Sequence, residues 1–127
     1  MILVDTSVWV DHLRAGDKTL VGLLNAGMVL AHPFVIGELA LGNLTRRETV
    51  LGLLSDLPQA TIATDTEVLH FIDHHKLFGR GVGYIDIHLL SAVRLTAGAE
   101  LWTNDKRLQG VADQLGLAMT SPSCRLS

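Results

Sequence analysis

Short apolar runs alternate with longer helical patterns along the chain, and this alternation constrains the fold more than any other feature. Apolar runs predict strands at residues 2–4, 28–31, 60–63, 101–103 and 117–119. Helical periodicity predicts a helix that begins with Thr6 as its N-cap, and further helices over 17–26, 33–41, 46–54, 65–77, 85–97 and 106–115. This order predicts an α/β fold with a mainly parallel central sheet flanked by helices on both faces.

The domain organisation follows from length and composition. The 127 residues contain no linker, repeat or low-complexity block, so we expect a single domain over 1–127. Hydrophobic residues make up 48% of the chain. Because so small a domain cannot hide that much apolar surface in one core, we expect a partner surface as well.

Charge and cysteine content limit the function and the compartment. The net charge of −3 counts against a nucleic-acid binder with a broad basic face, but not against an enzyme whose acidic site is neutralised by cations. The lone cysteine, Cys124 in a polar tail, excludes an intrachain disulfide and fits a reducing compartment. The beginning of the sequence does not resemble a signal peptide, and no apolar stretch approaches the roughly 18 residues of a membrane span. We therefore expect a cytoplasmic protein.

Two acids follow predicted strands directly. Asp5 comes after the first strand, and Asp105 comes shortly after the strand that ends at Thr103. The carboxyl ends of parallel strands meet at one edge of the sheet, where ligands bind in such folds. The two carboxylates are therefore expected at the same edge, although a helix cap or a turn would also explain each acid.

Glu38 is the only charged residue between positions 29 and 44. At helical spacing it shares a face with Phe34 and Leu41, so the sequence predicts a carboxylate set among apolar side chains. A buried, unpaired carboxylate is costly and suggests a functional role. The alternatives are a side chain that reaches solvent or pairs with an arginine.

Asp86 lies in the first turn of a predicted helix, where the helix dipole favours a negative charge. Leu90, Val93 and Ala97 follow it at helical spacing, so Asp86 stands at the tip of the buried stripe. A cluster of four carboxylates would be destabilised by mutual repulsion unless a divalent cation neutralised it. Oxygen-only ligands favour Mg²⁺ or Mn²⁺, the metals of many phosphodiesterases.

Four segments together resemble PIN-domain nucleases, in particular the VapC toxins of bacterial toxin–antitoxin pairs. They are residues 4–9 (VDTSVW), 32–39 (HPFVIGEL), 83–86 (GYID) and 101–105 (LWTND). The resemblance implies a PIN fold and a site built from Asp5, Glu38, Asp86 and Asp105, with Asp5 and Asp86 as direct metal ligands. It also implies that Thr103 holds a carboxylate or a water in place.

The same resemblance implies Mg²⁺- or Mn²⁺-dependent endonucleolytic cleavage of RNA, a homodimer, and inhibition by a cognate VapB-type antitoxin. Many relatives have a further acid shortly after the position of Asp105, whereas Lys106 and Arg107 follow here, which puts a second metal site in doubt. We expect Lys106 and Arg107, with Arg46 or Arg47, to bind the phosphates that flank the cleaved bond.

Two other classes of protein stay open on the sequence alone. A receiver-like phosphoacceptor domain has a similar size and acids at its strand ends, but it requires an acidic pair after the first strand, where this chain has Asp5 alone. A non-catalytic binding module of the PIN fold would keep the acids for structural reasons. A dinucleotide-binding domain is excluded, because no Gly-rich turn follows the first strand.

Overall fold

A computed structural model describes residues 1–120; Cys124 and the rest of the tail lie outside the described residues. The described part contains three strands and seven helices. In chain order they are β1 (Ile2–Val4), α1 (Thr6–Ala15), α2 (Lys18–Asn25), β2 (Val29–Leu30), α3 (Pro33–Ala40), α4 (Arg47–Asp56), α5 (Asp65–His75), α6 (Tyr84–Leu95), β3 (Glu100–Trp102) and α7 (Lys106–Gln114).

The three strands form a parallel sheet in the order β2-β1-β3. The central strand β1 is fully buried, with all three residues 0% exposed, because both of its faces are covered. Continuous apolar runs are typical of parallel strands covered on both faces. The predicted α/β fold with a parallel sheet is confirmed.

Two of the five predicted strands are wrong. Residues 60–63 are irregular, and only Gln59 pairs, through a single bridge to Ala31. Residues 117–119 do not form a strand either, and they make a single isolated β-bridge, between Ala118 and Leu101. Ala60 and Ala63 are buried, so the apolar character of the segment reflects core packing and not a hydrogen-bonded ladder. A short apolar run does not distinguish these cases.

A buried histidine begins α3, next to the end of β2. The Nδ1 atom of His32 accepts a hydrogen bond from the backbone N–H of Phe34 at 3.0 Å, and Pro33 occupies the first helical position. His32 is 0% exposed. Burial, together with the nearby His88, lowers the pKa of His32 to about 4. The imidazole therefore stays neutral and keeps its acceptor at neutral pH.

This lowered pKa predicts acid sensitivity of the fold. His32 in the unfolded chain titrates near 6.5, so its contribution is fully present above that pH and is lost as the pH falls towards 4. The loss amounts to about 2–4 kcal/mol of unfolding free energy. Urea titrations between pH 7 and 4.5 should show a shallower decline for His32→Asn, which keeps a capping acceptor, than for the wild type. The exposed-site control His70→Asn should decline as the wild type does, and equal slopes for all three proteins would contradict the role of His32.

No helix in the described part of the chain is long and apolar enough to cross a membrane.

Candidate metal centre

Asp5 lies at the carboxyl end of β1, where the chain turns into α1. It occupies the N-cap position that was predicted for Thr6, but its side chain makes no capping hydrogen bond. The residue is only 5% exposed. Its Oδ2 atom accepts hydrogen bonds from Thr103 Oγ1 at 2.7 Å and from Ser7 Oγ at 2.8 Å. Two hydroxyl groups thus fix a buried carboxylate at the edge of the sheet.

The two hydroxyls are themselves held by backbone amides of the segment after β3. The N–H of Asp105 donates to Thr103 Oγ1, and the N–H of Asn104 donates to Ser7 Oγ, each at 3.0 Å. Each hydroxyl group therefore accepts a hydrogen bond from a backbone N–H and donates one to the Asp5 carboxylate. Sequence reasoning missed Ser7 in this arrangement, although a hydroxyl residue two positions after a strand-end acid was a usable signal.

Asp105 lies across the sheet edge from Asp5, at the start of α7. Its Oδ1 atom caps the helix by accepting a hydrogen bond from the N–H of Leu108 at 2.9 Å. The helix-cap interpretation that the sequence left open is therefore correct for this residue. The cap engages one of the two carboxylate oxygens and fixes the direction of the side chain.

Glu38 does not have the apolar surroundings that the sequence predicted. The residue is exposed, and its Oε1 atom accepts a hydrogen bond from Thr6 Oγ1 at 2.8 Å. The expectation failed because α3 buries the face of Val35 and Leu39, whereas Phe34, on the side of Glu38, is 37% exposed. The contact with Thr6 places the Glu38 carboxylate beside the first turn of α1, the helix that follows Asp5.

Asp86 is the third residue of α6, and its Oδ2 atom accepts a hydrogen bond from the N–H of Gly83 at 3.3 Å. Burial, followed by repulsion from Asp5 and smaller contributions from Asp105 and Glu38, raises the pKa of Asp86 to about 6. The hydrogen bond from Gly83 opposes this shift. The other three predicted carboxylates therefore lie close enough to Asp86 to act on it electrostatically.

The four carboxylates fit a hydrated divalent cation. Within residues 1–120, no three His, Cys, Asp or Glu side chains are arranged closely enough to form a ready-made metal cage. Mg²⁺ does not require one, because it keeps several waters and is usually bound by one or two carboxylates. The donor set consists of oxygen atoms only, and the uncompensated negative charge around Asp86 is the kind that a cation relieves. The assignment of these residues as ligands stays a prediction.

Arg107 brings a positive charge towards the loop that leads to Asp86. Its side chain lies over Gly81, so closely that a Cβ atom added to Gly81 would be 2.7 Å from Nη1 of Arg107. Gly81 also has a φ of +76°, which strongly favours glycine. The Arg107 guanidinium of α7 therefore packs against the loop before α6.

Residues 2–114 match the family model of the PIN domain. The chain belongs to the PIN-domain family. The PIN domain is also 50% identical, over 119 residues, to proteins named Ribonuclease VapC32 from two strains of Mycobacterium tuberculosis. The match covers 94% of this chain and 96% of each relative. The resemblance to VapC-type PIN-domain ribonucleases is confirmed.

Proposed function

We propose that this PIN domain is a Mg²⁺- or Mn²⁺-dependent endoribonuclease of the VapC type, which hydrolyses RNA phosphodiester bonds. The observation that carries the proposal is the concentration of negative charge around Asp86, whose pKa is raised by burial and by Asp5, Asp105 and Glu38. A protein retains such repulsion when a cation relieves it in the working state. The identity to relatives named ribonucleases supports RNA as the substrate.

In this proposal Asp5 and Asp86 hold the metal directly, and Glu38 and Asp105 hold it directly or through water. A bound divalent cation would supply a water of lowered pKa and would offset the charge on the phosphate. Ser7 and Thr103 keep the Asp5 carboxylate in one orientation through their hydrogen bonds to Oδ2.

Four basic side chains are proposed to bind the flanking phosphates. Lys106 and Arg107 are exposed at the start of α7, directly after Asp105. Arg47 donates from Nη2 to the carbonyl oxygen of Ala40 at 3.1 Å, which holds it near the end of α3. Arg46 is exposed at the beginning of α4. Phosphate contacts of this kind position a nucleic acid without selecting its sequence.

The proposed partners are a VapB-type antitoxin and a second copy of the chain, in the cytoplasm. Twelve large apolar side chains of the described residues are exposed, among them Leu41 at 90%, Phe78 at 65% and Leu53 at 64%. An open groove of about 310 Å³ is lined by Trp9, His12, Leu13, Leu24, Val50, Leu53, Leu54 and Leu57. Apolar surface of this kind supports burial by partner proteins.

The proposed activity is tested by incubating the purified protein with total RNA and with single-stranded DNA while Mg²⁺ or Mn²⁺ is titrated. We expect new RNA ends that require the metal and that cease to form when EDTA is added. A binding module would retain RNA without cutting it. Uptake of phosphate from acetyl phosphate without RNA cleavage would favour the receiver-like alternative, which the PIN-family match argues against.

Thr103 offers a test of the hydroxyl network around Asp5. Thr103→Val keeps the shape but removes the donor to Asp5 and the acceptor for the N–H of Asp105. We expect RNA cleavage to fall by roughly 10- to 100-fold, as for other groups that orient a metal ligand. Thr103→Ser keeps the hydroxyl and should cut RNA at nearly the wild-type rate. Equal rates for the Val variant and the wild type would show that this hydroxyl is dispensable.

A further inference from the structure

Two partly exposed aromatic rings, those of Phe34 and Tyr84, contact the same buried histidine ring. Phe34 in α3 is 37% exposed and Tyr84 in α6 is 47% exposed, whereas His88 beneath them is 2% exposed. The His88 ring meets Phe34 edge to face at 4.9 Å and Tyr84 edge to face at 4.8 Å between centroids. The two rings therefore belong to one aromatic group that joins α3 to α6.

Each ring is also fixed from a second side. The Tyr84 hydroxyl donates a hydrogen bond to Asp65 Oδ1 at 3.1 Å, and Phe34 contacts the buried His32 ring at 5.1 Å. The Nε2 atom of His88 lies 3.3 Å from the same Asp65 oxygen, although without hydrogen-bond geometry. Rings that are already fixed lose little conformational entropy when a ligand packs on them.

The two rings lie on the two helices that carry proposed ligands. Phe34 is one helical turn before Glu38 on the same face of α3, and Tyr84 begins α6, whose third residue is Asp86. α3 also begins just beyond the carboxyl end of β2, at the sheet edge where Asp5 follows β1. An RNA phosphate that reaches the carboxylates would bring its neighbouring bases to this part of the surface.

We propose that Phe34 and Tyr84 stack bases of a single-stranded RNA next to the cleaved phosphodiester. The inference rests on the proposed ribonuclease function and assigns these two residues to base contacts with its RNA. The chain has 13 acidic and 10 basic side chains, so electrostatic attraction alone is a poor source of RNA affinity. Stacking on aromatic rings supplies affinity without charge, and it requires bases that are not paired in a duplex.

The test measures binding of a fluorescein-labelled oligouridylate by fluorescence anisotropy, in an Asp5→Asn background that prevents cleavage. Phe34→Leu and Tyr84→Leu should each weaken binding by about 5- to 150-fold, the range found when a stacking ring is removed. Phe34→Tyr and Tyr84→Phe keep a ring and should bind as the background protein does. Phe78→Leu removes an exposed ring outside this group and serves as the matched control.

An abasic oligomer of the same length separates stacking from other effects. The background protein should bind it weakly, and the Leu variants should weaken that binding no further. An equal loss for the base-bearing and the abasic oligomer would overturn the proposal, and so would unchanged binding of the oligouridylate. A lower oligomeric state of the Leu variants in sedimentation, with unchanged RNA affinity, would assign the rings to a contact between copies. If Asp5→Asn still cleaved RNA, the proposed role of Asp5 in the metal site would fail, and the stacking variants would then be compared in EDTA.

Discussion

Asp5→Asn is expected to abolish metal-dependent RNA cleavage, with a fall of roughly 10³-fold or more, while the fold is retained. The carboxylate is buried at the end of β1 and is proposed to hold the metal directly. Asn has nearly the same shape, and its side-chain oxygen can accept the hydrogen bonds that Ser7 and Thr103 now donate to Oδ2. The local structure is therefore kept, and only the negative charge is lost.

A matched control for this variant is Asp113→Asn. Asp113 is an exposed acid in the last turn of α7, so the change in net charge is the same without a change at the sheet edge. Cleavage rates of a labelled RNA, with circular dichroism and thermal melting as measures of folding, would be compared for both variants. A folded Asp5→Asn protein that turns over RNA at the wild-type rate would remove Asp5 from the site.

Asp86→Asn is expected to lose cleavage and, at the same time, to become more stable when no metal is present. Burial and repulsion raise the pKa of Asp86 from 3.8 to about 6, so its charged form is disfavoured in the folded chain. The folded state then binds the proton more tightly than the unfolded state does, and wild-type stability falls as the pH rises from about 3.8 to about 6. Asn cannot ionise and still offers an oxygen to the N–H of Gly83.

The expected gain in melting temperature is about 2–5 °C at pH 7.5 in EDTA, and it should shrink to a small fraction of that near pH 4, which lies close to the unfolded-state pKa of 3.8. Added Mg²⁺ should stabilise the wild type and should stabilise Asp86→Asn much less, because ligands stabilise the state that binds them. Melting curves at both pH values, with Asp113→Asn as the control, measure these effects. A variant that melts at or below the wild-type temperature at pH 7.5 would contradict the repulsion described here.

The order of elements was predictable because it depends on local patterns. Continuous apolar runs gave β1, β2 and β3, and their parallel pairing follows from the helices that connect them. The strand predicted at 60–63 was wrong, because its alanines pack in the core without forming a hydrogen-bonded ladder. Whether a short apolar run pairs with a strand depends on neighbours that are distant in sequence. The single-domain organisation over 1–127 stays a prediction, and the PIN-family match accounts for residues 2–114.

Side-chain surroundings were harder to predict than element order. The position of Asp5 and Asp105 at one sheet edge followed from strand direction alone. The exposure of Glu38 did not, because the choice of which face α3 buries depends on its packing against other helices. The role of the Ser7 hydroxyl was not predicted, since its contact with the segment after β3 spans 97 positions of sequence. Local periodicity carries no information on such contacts.

Binding of Mn²⁺ tests the central claim most directly, because it requires neither the RNA target nor turnover. Free Mn²⁺ would be followed by electron paramagnetic resonance while wild type, Asp5→Asn, Asp86→Asn and Asp113→Asn are titrated at pH 7.5. We expect the wild type and Asp113→Asn to bind the ion equally, and the two site variants to bind it at least roughly tenfold more weakly. Equal affinity of all four proteins for Mn²⁺ would contradict a metal centre at this edge of the sheet.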